Sequence, residues 1–280
     1  MNIENQELRK LQMIELDILK VVASICDTHG LKYYLAEGTL LGAVRHAGFI
    51  PWDDDIDVVI PREDYEKFIR LAKTELPEYM GLKYFQNSNT NEKDMTFFIH
   101  PCDNRYTVTW KTVAEKDEKI LPVWIDIGPL DGLPKNKIQQ RLHLLRMLFL
   151  HKLVRCSLCT HISTDRKLAW WKKAGIFLIR CIRLDKLNTK RLLKKYDDTA
   201  KIYPYSKSEM TINYASEYGT RAICPKRWYG EGKMVQFEDT EFRIPEKAKK
   251  ILAQEYGDYM MLPPESERKC KHIISLKNLV

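Results

Sequence analysis

The 280-residue chain lacks any uninterrupted apolar run of the roughly 18 residues that a membrane-spanning helix needs, so no span is expected. Its start, Met-Asn-Ile-Glu-Asn-Gln-Glu, has neither a basic nor an apolar leader region, which predicts no secretory signal. Cysteine is sparse, scattered and odd in number, at seven, which suits reduced thiols in a cytoplasmic protein and excludes a disulfide scaffold. Cys156 and Cys159 alone form a C-x-x-C, readable as two thiols on a helix flank or as half of a zinc or redox site. Internal repeats and low-complexity tracts are missing, and with 44% hydrophobic and 30% charged residues the chain reads as an ordinary folded protein.

Acid is missing from one region. Between positions 135 and 195, 17 Lys or Arg meet only Asp165 and Asp185, so that stretch carries +15 while the remainder of the chain carries −7. Such segregation points to an anionic partner for one region. Within it, Leu168 to Leu184 placed on a helix puts Lys172, Lys173, Arg180 and Arg183 in one sector of roughly 100°, with apolar residues filling the rest. Together with Trp170 and Trp171 this predicts peripheral attachment to an anionic membrane surface, at the inner face of the plasma membrane. A helix pair packed on the core with a solvated basic edge is the alternative. No nucleic-acid-binding motif accompanies the charge, so no nucleic acid is expected as a partner.

The periodicity of Leu8, Leu11, Ile18, Leu19, Val22, Ile25 and Cys26 predicts a helix over 4–29, its apolar stripe interrupted by Glu15. A short strand over 32–36 follows, then a helix over 40–46 opened by Gly38-Thr39 and ended by Gly48. Asp53 to Ile60 reads as a strand that begins in acid, and 63–75 as the next helix. Strands are also expected at 82–86, 96–100 and 123–127, the last stopped by Gly128-Pro129, and a strand pair at 234–237 and 241–244 precedes a helix stopped by Gly257. The alternation defines an α/β (α+β) fold.

Asp55 and Asp57 are two apart, so on a strand both carboxylates project on one face. Two like charges that close require a cation. Mg2+ (or Mn2+) prefers carboxylate oxygen and keeps places for phosphate oxygens, so the pair suggests phosphoryl chemistry. Asp126 lies among Trp124, Ile125 and Ile127, where an unpaired acid would cost several kcal/mol, so a metal or a partner is implied. Asp53 and Asp54 precede the strand as loop residues, as ligands or as their supports. Gly38 and Thr39 offer backbone N–H groups and a hydroxyl where a phosphate can sit at a helix start. Arg45 and His46 either touch the phosphate or cap the helix end, and Trp52 either stacks on the ligand or anchors the core. His100 and His272 lack ligand spacing, so neither is expected to bind metal.

The order Gly-Thr, Asp-x-Asp and a later strand Asp resembles the nucleotidyltransferase superfamily. The run Glu37-Gly-Thr-Leu-Leu-Gly-Ala-Val-Arg-His46, with Gly48-Phe-Ile-Pro-Trp-Asp-Asp-Asp-Ile-Asp57, is similar to the signature of the LicD family of phosphocholine-type transferases. Ile125-Asp-Ile-Gly-Pro-Leu-Asp-Gly132, Tyr256-Gly-Asp-Tyr-Met260 and Leu262-Pro-Pro264 extend the resemblance, with Gly128 a mild departure that bears on packing.

The resemblance implies a nucleotidyltransferase-like mixed sheet flanked by helices, with a catalytic core at 1–134, a basic helical insertion at 135–200 and a C-terminal part at 201–280 completing the catalytic domain. It implies metal-dependent transfer of a phosphorylated small group, phosphocholine from CDP-choline foremost, onto a hydroxyl of a lipid-linked cell-surface glycan such as teichoic acid or lipopolysaccharide. CMP is the leaving group. Asp55 and Asp57 match the family's metal pair and Asp126 its later carboxylate, as ligand or general base. Gly38, Thr39, Arg45 and Trp52 are the candidates for the donor side. Two other functions share these residues: attachment of a nucleoside monophosphate to a small molecule, and a non-catalytic membrane-bound role in glycan assembly.

Overall fold

A computed structural model describes residues 5–86, 97–110, 119–158, 177, 181, 183–270 and 273–278. The predicted interfacial helix over 168–184, and Cys159 and His272, fall almost wholly outside these residues.

Helix α1 (Asn5–Thr28) carries the apolar repeat seen in the sequence, and its stripe from Leu8 to Cys26 is buried. It packs on α3 (Arg62–Glu75) and on a sheet made of β3 (Met80–Lys83), β4 (His100–Trp110), β5 (Lys119–Trp124) and β11 (Ile273–Asn278). In that sheet the long β4 is central. It pairs antiparallel with β5 along one edge and with β3 and β11 in turn along the other.

The second sheet holds the site. Its order is β1 (Tyr34–Leu35), β2 (Asp57–Pro61), β6 (Asp126–Leu133), β7 (Met210–Ile212) and β8 (Cys224–Pro225), all antiparallel except the parallel β2–β6 pair. A bridge between Ile99 and Ile127 joins the two sheets. The fold is therefore mixed α/β, as expected, with β7 and β8 from the C-terminal third extending the sheet begun by β2. Tyr33 and Tyr34 are fully buried beneath it, and the Tyr34 hydroxyl donates to Gly230 O at 2.6 Å.

Several boundaries differ from expectation, among them the strands expected at 82–86 and 96–100, which are β3 at Met80–Lys83 and β4 from His100 onward. Asp53 and Asp54 precede the strand as expected, but Asp55 and Ile56 do too, because β2 begins only at Asp57 after a turn and an extended lead-in. The expected strand over 123–127 is two strands, with Asp126 opening β6. Gly128-Pro129 does not stop β6, which runs on to Leu133. Over 126–130 its ladder is with β2, and the β7 ladder starts only at Asp131, so Pro129 costs no bond on that second edge. The side chain of Asn213 occupies the space beside Gly128.

Helix α2 (Glu37–His46) begins three residues earlier than the sequence predicts and ends at Ala47, whose φ is +54°. It lies close against the loop that follows: a Cβ on Gly42 would stand 2.4 Å from the Gly48 carbonyl oxygen. Backbone meeting Cβ at that distance has no flexible side chain to give way. Gly42→Ala is expected to cost about 1–3 kcal/mol, read as a lowered urea midpoint with an unchanged slope.

The remaining α-helices and strands among the described residues are α4 (Lys137–Ser157), α5 (Thr189–Ala200), the hairpin β9 (Lys233–Phe237) and β10 (Thr240–Ile244), and α6 (Ala248–Tyr256). The hairpin matches the predicted pair and α6 ends at the predicted Gly257. The Asn136 side chain accepts from the N–H groups of Ile138 and Gln139, which starts α4 where the basic stretch begins.

Candidate active site

Burial along 55–58 alternates. Ile56 and Val58 are at most 1% exposed, while Asp55 and Asp57 are half-buried and line a cleft of 1580 Å3. The period-2 alternation therefore spans the lead-in and the head of β2, and puts both carboxylates on the cleft side. Asp57 and Asp126 are register partners at the heads of the parallel strands β2 and β6, and Asp126 N donates to Ile56 O at 2.8 Å. Residues paired across neighbouring strands share a face, so Asp126, remote in sequence, converges with Asp55 and Asp57 on one wall.

The turn before them contributes more. One carboxylate oxygen from each of Asp53, Asp54 and Asp55 falls within 4.8 Å of the others. Gln12 on α1 donates to Asp53 O at 2.9 Å and holds this turn from below. Gly38 makes room for it: a Cβ there would lie 2.7 Å from Asp53 Oδ2. Asp54 is buried, and its Oδ2 accepts from the Cys270 thiol at 3.1 Å.

Asp126 is fixed through one oxygen. Its Oδ1 accepts from Trp124 Nε1 at 2.9 Å and lies 2.9 Å from His100 Nε2. His100 opens β4, and only the crossing of β4 beside β6 brings it there. The sequence contains no spacing that pairs it with Asp126.

Thr39 takes a different place from the one expected. It is 3% exposed and does not line the cleft, and its Oγ1 accepts from Asp57 N at 2.8 Å. The hydroxyl secures the start of β2. Gly38, Arg45 and Trp52 do line the cleft. Arg45 Nη1 donates to Tyr259 O at 2.9 Å, tying the loop after α6 to α2. Trp52 packs on the core with its ring beneath the Arg268 guanidinium, 5.7 Å away.

Two further acids belong to the same field. Glu15, the polar interruption of the α1 stripe, is 3% exposed, and its Oε2 has no hydrogen-bond partner among the described residues. Burial, then the charges of Asp55, Asp54 and Asp53, pushes its carboxyl well above the usual range. Glu37 starts α2 at φ +45° and lines the cleft; burial raises it to about 7 against the hydrogen bond from Ser216, with Glu217 and Asp126 adding to the rise. Burial first and neighbouring carboxylates second also lift Asp55 and Asp57 well above ordinary values. Nearby Glu255, buried with its Oε2 unpartnered among the described residues, rises to about 8 for the same reason, beside Glu37.

A donor set made only of carboxylate oxygens, in which Asp55 and Asp57 resist ionisation, fits a hard divalent cation such as Mg2+. The linkage has a definite sign. Carboxylates whose folded values exceed their unfolded ones bind protons more tightly in the native state. Their stabilising contribution is complete below the unfolded values of 3.8 to 4.5, and is lost as pH rises through about 7 for Glu37 and about 8 for Glu255. The metal-free chain is therefore expected to melt at lower temperature at pH 8 than at pH 5. Mg2+ should raise the melting temperature more at pH 8, where fewer protons compete for the carboxylates. Equal Mg2+ shifts at both pH values in differential scanning fluorimetry would contradict this.

The opposite end of the cleft is formed by α4 and by aromatic residues, including Arg141, Leu145, Arg155, Tyr196 and Tyr214. Away from the cleft, Asp131 of the Ile125–Gly132 motif is 1% exposed and is gripped by Arg62 through bonds of 2.6 and 2.8 Å. That aspartate is an anchor beneath the sheet.

Residues 30–139, which include every strand and turn aspartate of the cluster, match the family model described as LicD/FKTN/FKRP, nucleotidyltransferase domain. Over 272 residues the chain is 28% identical to the lipopolysaccharide cholinephosphotransferase LicD of Haemophilus influenzae, covering 95% of this chain and 96% of that protein. It is 44% identical over 121 residues to the human ribitol 5-phosphate transferase FKRP, covering 43% of this chain and 24% of that one. With the mouse ribitol-5-phosphate transferase FKTN it shares 30% identity over 98 residues, 31% of this chain and 21% of the relative.

Proposed function

This chain carries a nucleotidyltransferase domain of the LicD family, and from that premise we propose that it is a phosphotransferase acting on a glycan. The donor is a CDP-linked small group, CDP-choline foremost, and the acceptor is a hydroxyl of a lipid-linked surface glycan of the lipopolysaccharide or teichoic acid type. One observation carries the reading: Asp53, Asp55, Asp57 and Asp126, from a turn and two parallel strands, line one cleft large enough for a nucleotide and a sugar together.

Asp55 and Asp57, with Asp53, Asp54 and Asp126 around them, are the residues that would hold Mg2+. When bound, the ion supplies positive charge against the donor phosphates. The chain's own residues do the rest. The acceptor oxygen attacks the phosphorus of the transferred group, the bond from that phosphorus to the CMP oxygen breaks, and the hydroxyl proton passes to a carboxylate. Asp126 suits that task because Trp124 and His100 hold it through one oxygen. Gly38 and the N-terminus of α2 face the donor phosphates, with Arg45 and Trp52 at the rim. Residues 201–280 complete the domain, and the enzyme works peripherally at the anionic inner face of the plasma membrane.

Donor identity is read from stabilisation and product. With Mg2+ present, CDP-choline is expected to raise the melting temperature more than CDP-ethanolamine, CDP-glycerol or CDP-ribitol. Incubation with labelled CDP-choline and acceptor glycan should then release CMP and label the glycan. Release of pyrophosphate from a nucleoside triphosphate would instead establish nucleotidyl transfer. A chain inert towards every donor would leave the role in glycan assembly.

A further inference from the structure

Helix α4 has a buried face and an exposed apolar one. One face buries Gln140, His143, Met147, Leu150, Val154 and Ser157 against the body of the protein. The opposite face presents Ile138, Leu142, Leu145 and Phe149, which are 73%, 62%, 54% and 62% exposed. At 100° per residue these four fall within a sector of roughly 60°, a continuous stripe three turns long. A stripe of this kind marks an interaction surface, because isolated exposed apolar residues do not line up along a helix.

The flanks of the stripe say what covers it. Arg141 and Lys152 border one side and Arg146 the other, and the 21 residues of α4 include no acidic side chain. A basic, apolar-centred helix face complements an anionic lipid surface: long basic side chains reach the headgroups while the apolar stripe enters the acyl boundary. We infer that the exposed face of α4 docks on an anionic bilayer. The geometry supports this further, because Arg141, Leu145 and Leu148 of the same helix also form one wall of the cleft that holds Asp55 and Asp57. A bilayer against α4 brings the mouth of the cleft to the membrane surface, where a lipid-linked acceptor presents its sugar.

The purpose of this docking rests on the glycan-transfer reading, but the docking itself does not, and the two are measured apart. The full chain is mixed with vesicles of phosphatidylglycerol and phosphatidylcholine in about equal parts, or of phosphatidylcholine alone, and sedimented. The wild type is expected in the pellet only with the anionic vesicles, in a salt-sensitive manner. Leu142→Glu with Phe149→Glu should lower partitioning at least about ten-fold. Arg146→Gln with Lys152→Gln, which leaves the apolar stripe intact, should lower it by roughly five-fold or more.

All four positions are exposed, so unchanged far-ultraviolet circular dichroism and melting temperature are expected. CMP release by the variants in vesicle-free solution should equal that of the wild type. Equal recovery on neutral vesicles, no recovery on anionic ones, or variants that bind like the wild type overturns the inference. So does a wild-type dimer in sedimentation velocity that the Leu142/Phe149 variant loses, since a second copy then covers the face. If vesicles bind and no donor releases CMP, the transfer reading fails and the docking stands.

Discussion

Asp57→Asn is expected to reduce turnover on the order of 10³-fold or more while making the metal-free protein more stable at pH 8. The two effects share one cause. Asp57 sits at the head of β2 beside Asp126, with Asp55, Glu37 and Asp53 adding to the burial that raises its carboxyl. In the native metal-free protein above neutrality, each further ionisation in that cluster opposes the others. An amide of the same size removes one charge and lowers the cost. The Asp57→Asn variant should therefore melt several degrees higher than the wild type at pH 8 without divalent ions, and the gap should be smaller at pH 5, because a raised carboxyl holds its proton more readily there. Its Mg2+ shift should largely disappear. Retained turnover with an unchanged Mg2+ shift would remove Asp57 from the metal site. Loss of turnover with lower stability at both pH values would assign it a purely structural role.

Arg62→Met is expected to destabilise the fold by about 3–5 kcal/mol without touching the cleft. Arg62 is 6% exposed at the start of α3 and donates to both oxygens of Asp131 on β6 and, at 2.8 Å, to Asp197 on α5. Lys201 joins Asp197 and Glu66 at 2.6 Å on the outer side. Burial raises Asp131 even against the compensating charge of Arg62, so the carboxylate depends on that partner. Methionine fills most of the volume and leaves Asp131 buried and unpaired. Replacing both residues, as Arg62→Met with Asp131→Leu, is expected to recover much of the loss, because an apolar pair carries no desolvation cost. Urea denaturation of the two single variants and the double variant reads the coupling. Additive losses would mean that Arg62 and Asp131 act independently.

The same network shows how far a linear motif can mislead about role. Asp126 and Asp131 belong to one eight-residue match, yet one lines the cleft and the other ties β6 to α3 and α5. Both face directions were open in the sequence, since a strand of unknown partners has two possible interior sides. Thr39 is a similar case: a hydroxyl at a helix start suits a phosphate, but the chain uses it on the Asp57 N–H. Gln12 and His100 carried no local signal at all. Their partners lie on segments 41 and 26 residues away, and the contacts exist only because α1 runs under the acidic turn and β4 crosses beside β6. Glu15 was visible as an anomaly, a charged residue in an apolar stripe, though not its destination among the aspartates.

What the sequence by itself determined is the set of local features that depend on near neighbours. These are the helix repeat of α1, the hairpin at 233–244, the stop at Gly257, the period-2 placement of Asp55 and Asp57, and the reservation of acid for one region and base for another. Such features follow from backbone sterics and side-chain spacing, which act over a few residues. Only the tertiary structure decided which acids share the cleft, which one is an anchor, that β6 runs through Gly128-Pro129, and that α4 exposes an apolar stripe. Each of those depends on which strand lies beside which and on what remains unburied after packing. Desolvation and Coulomb energies are set by neighbours in space, and a linear chain does not contain those distances.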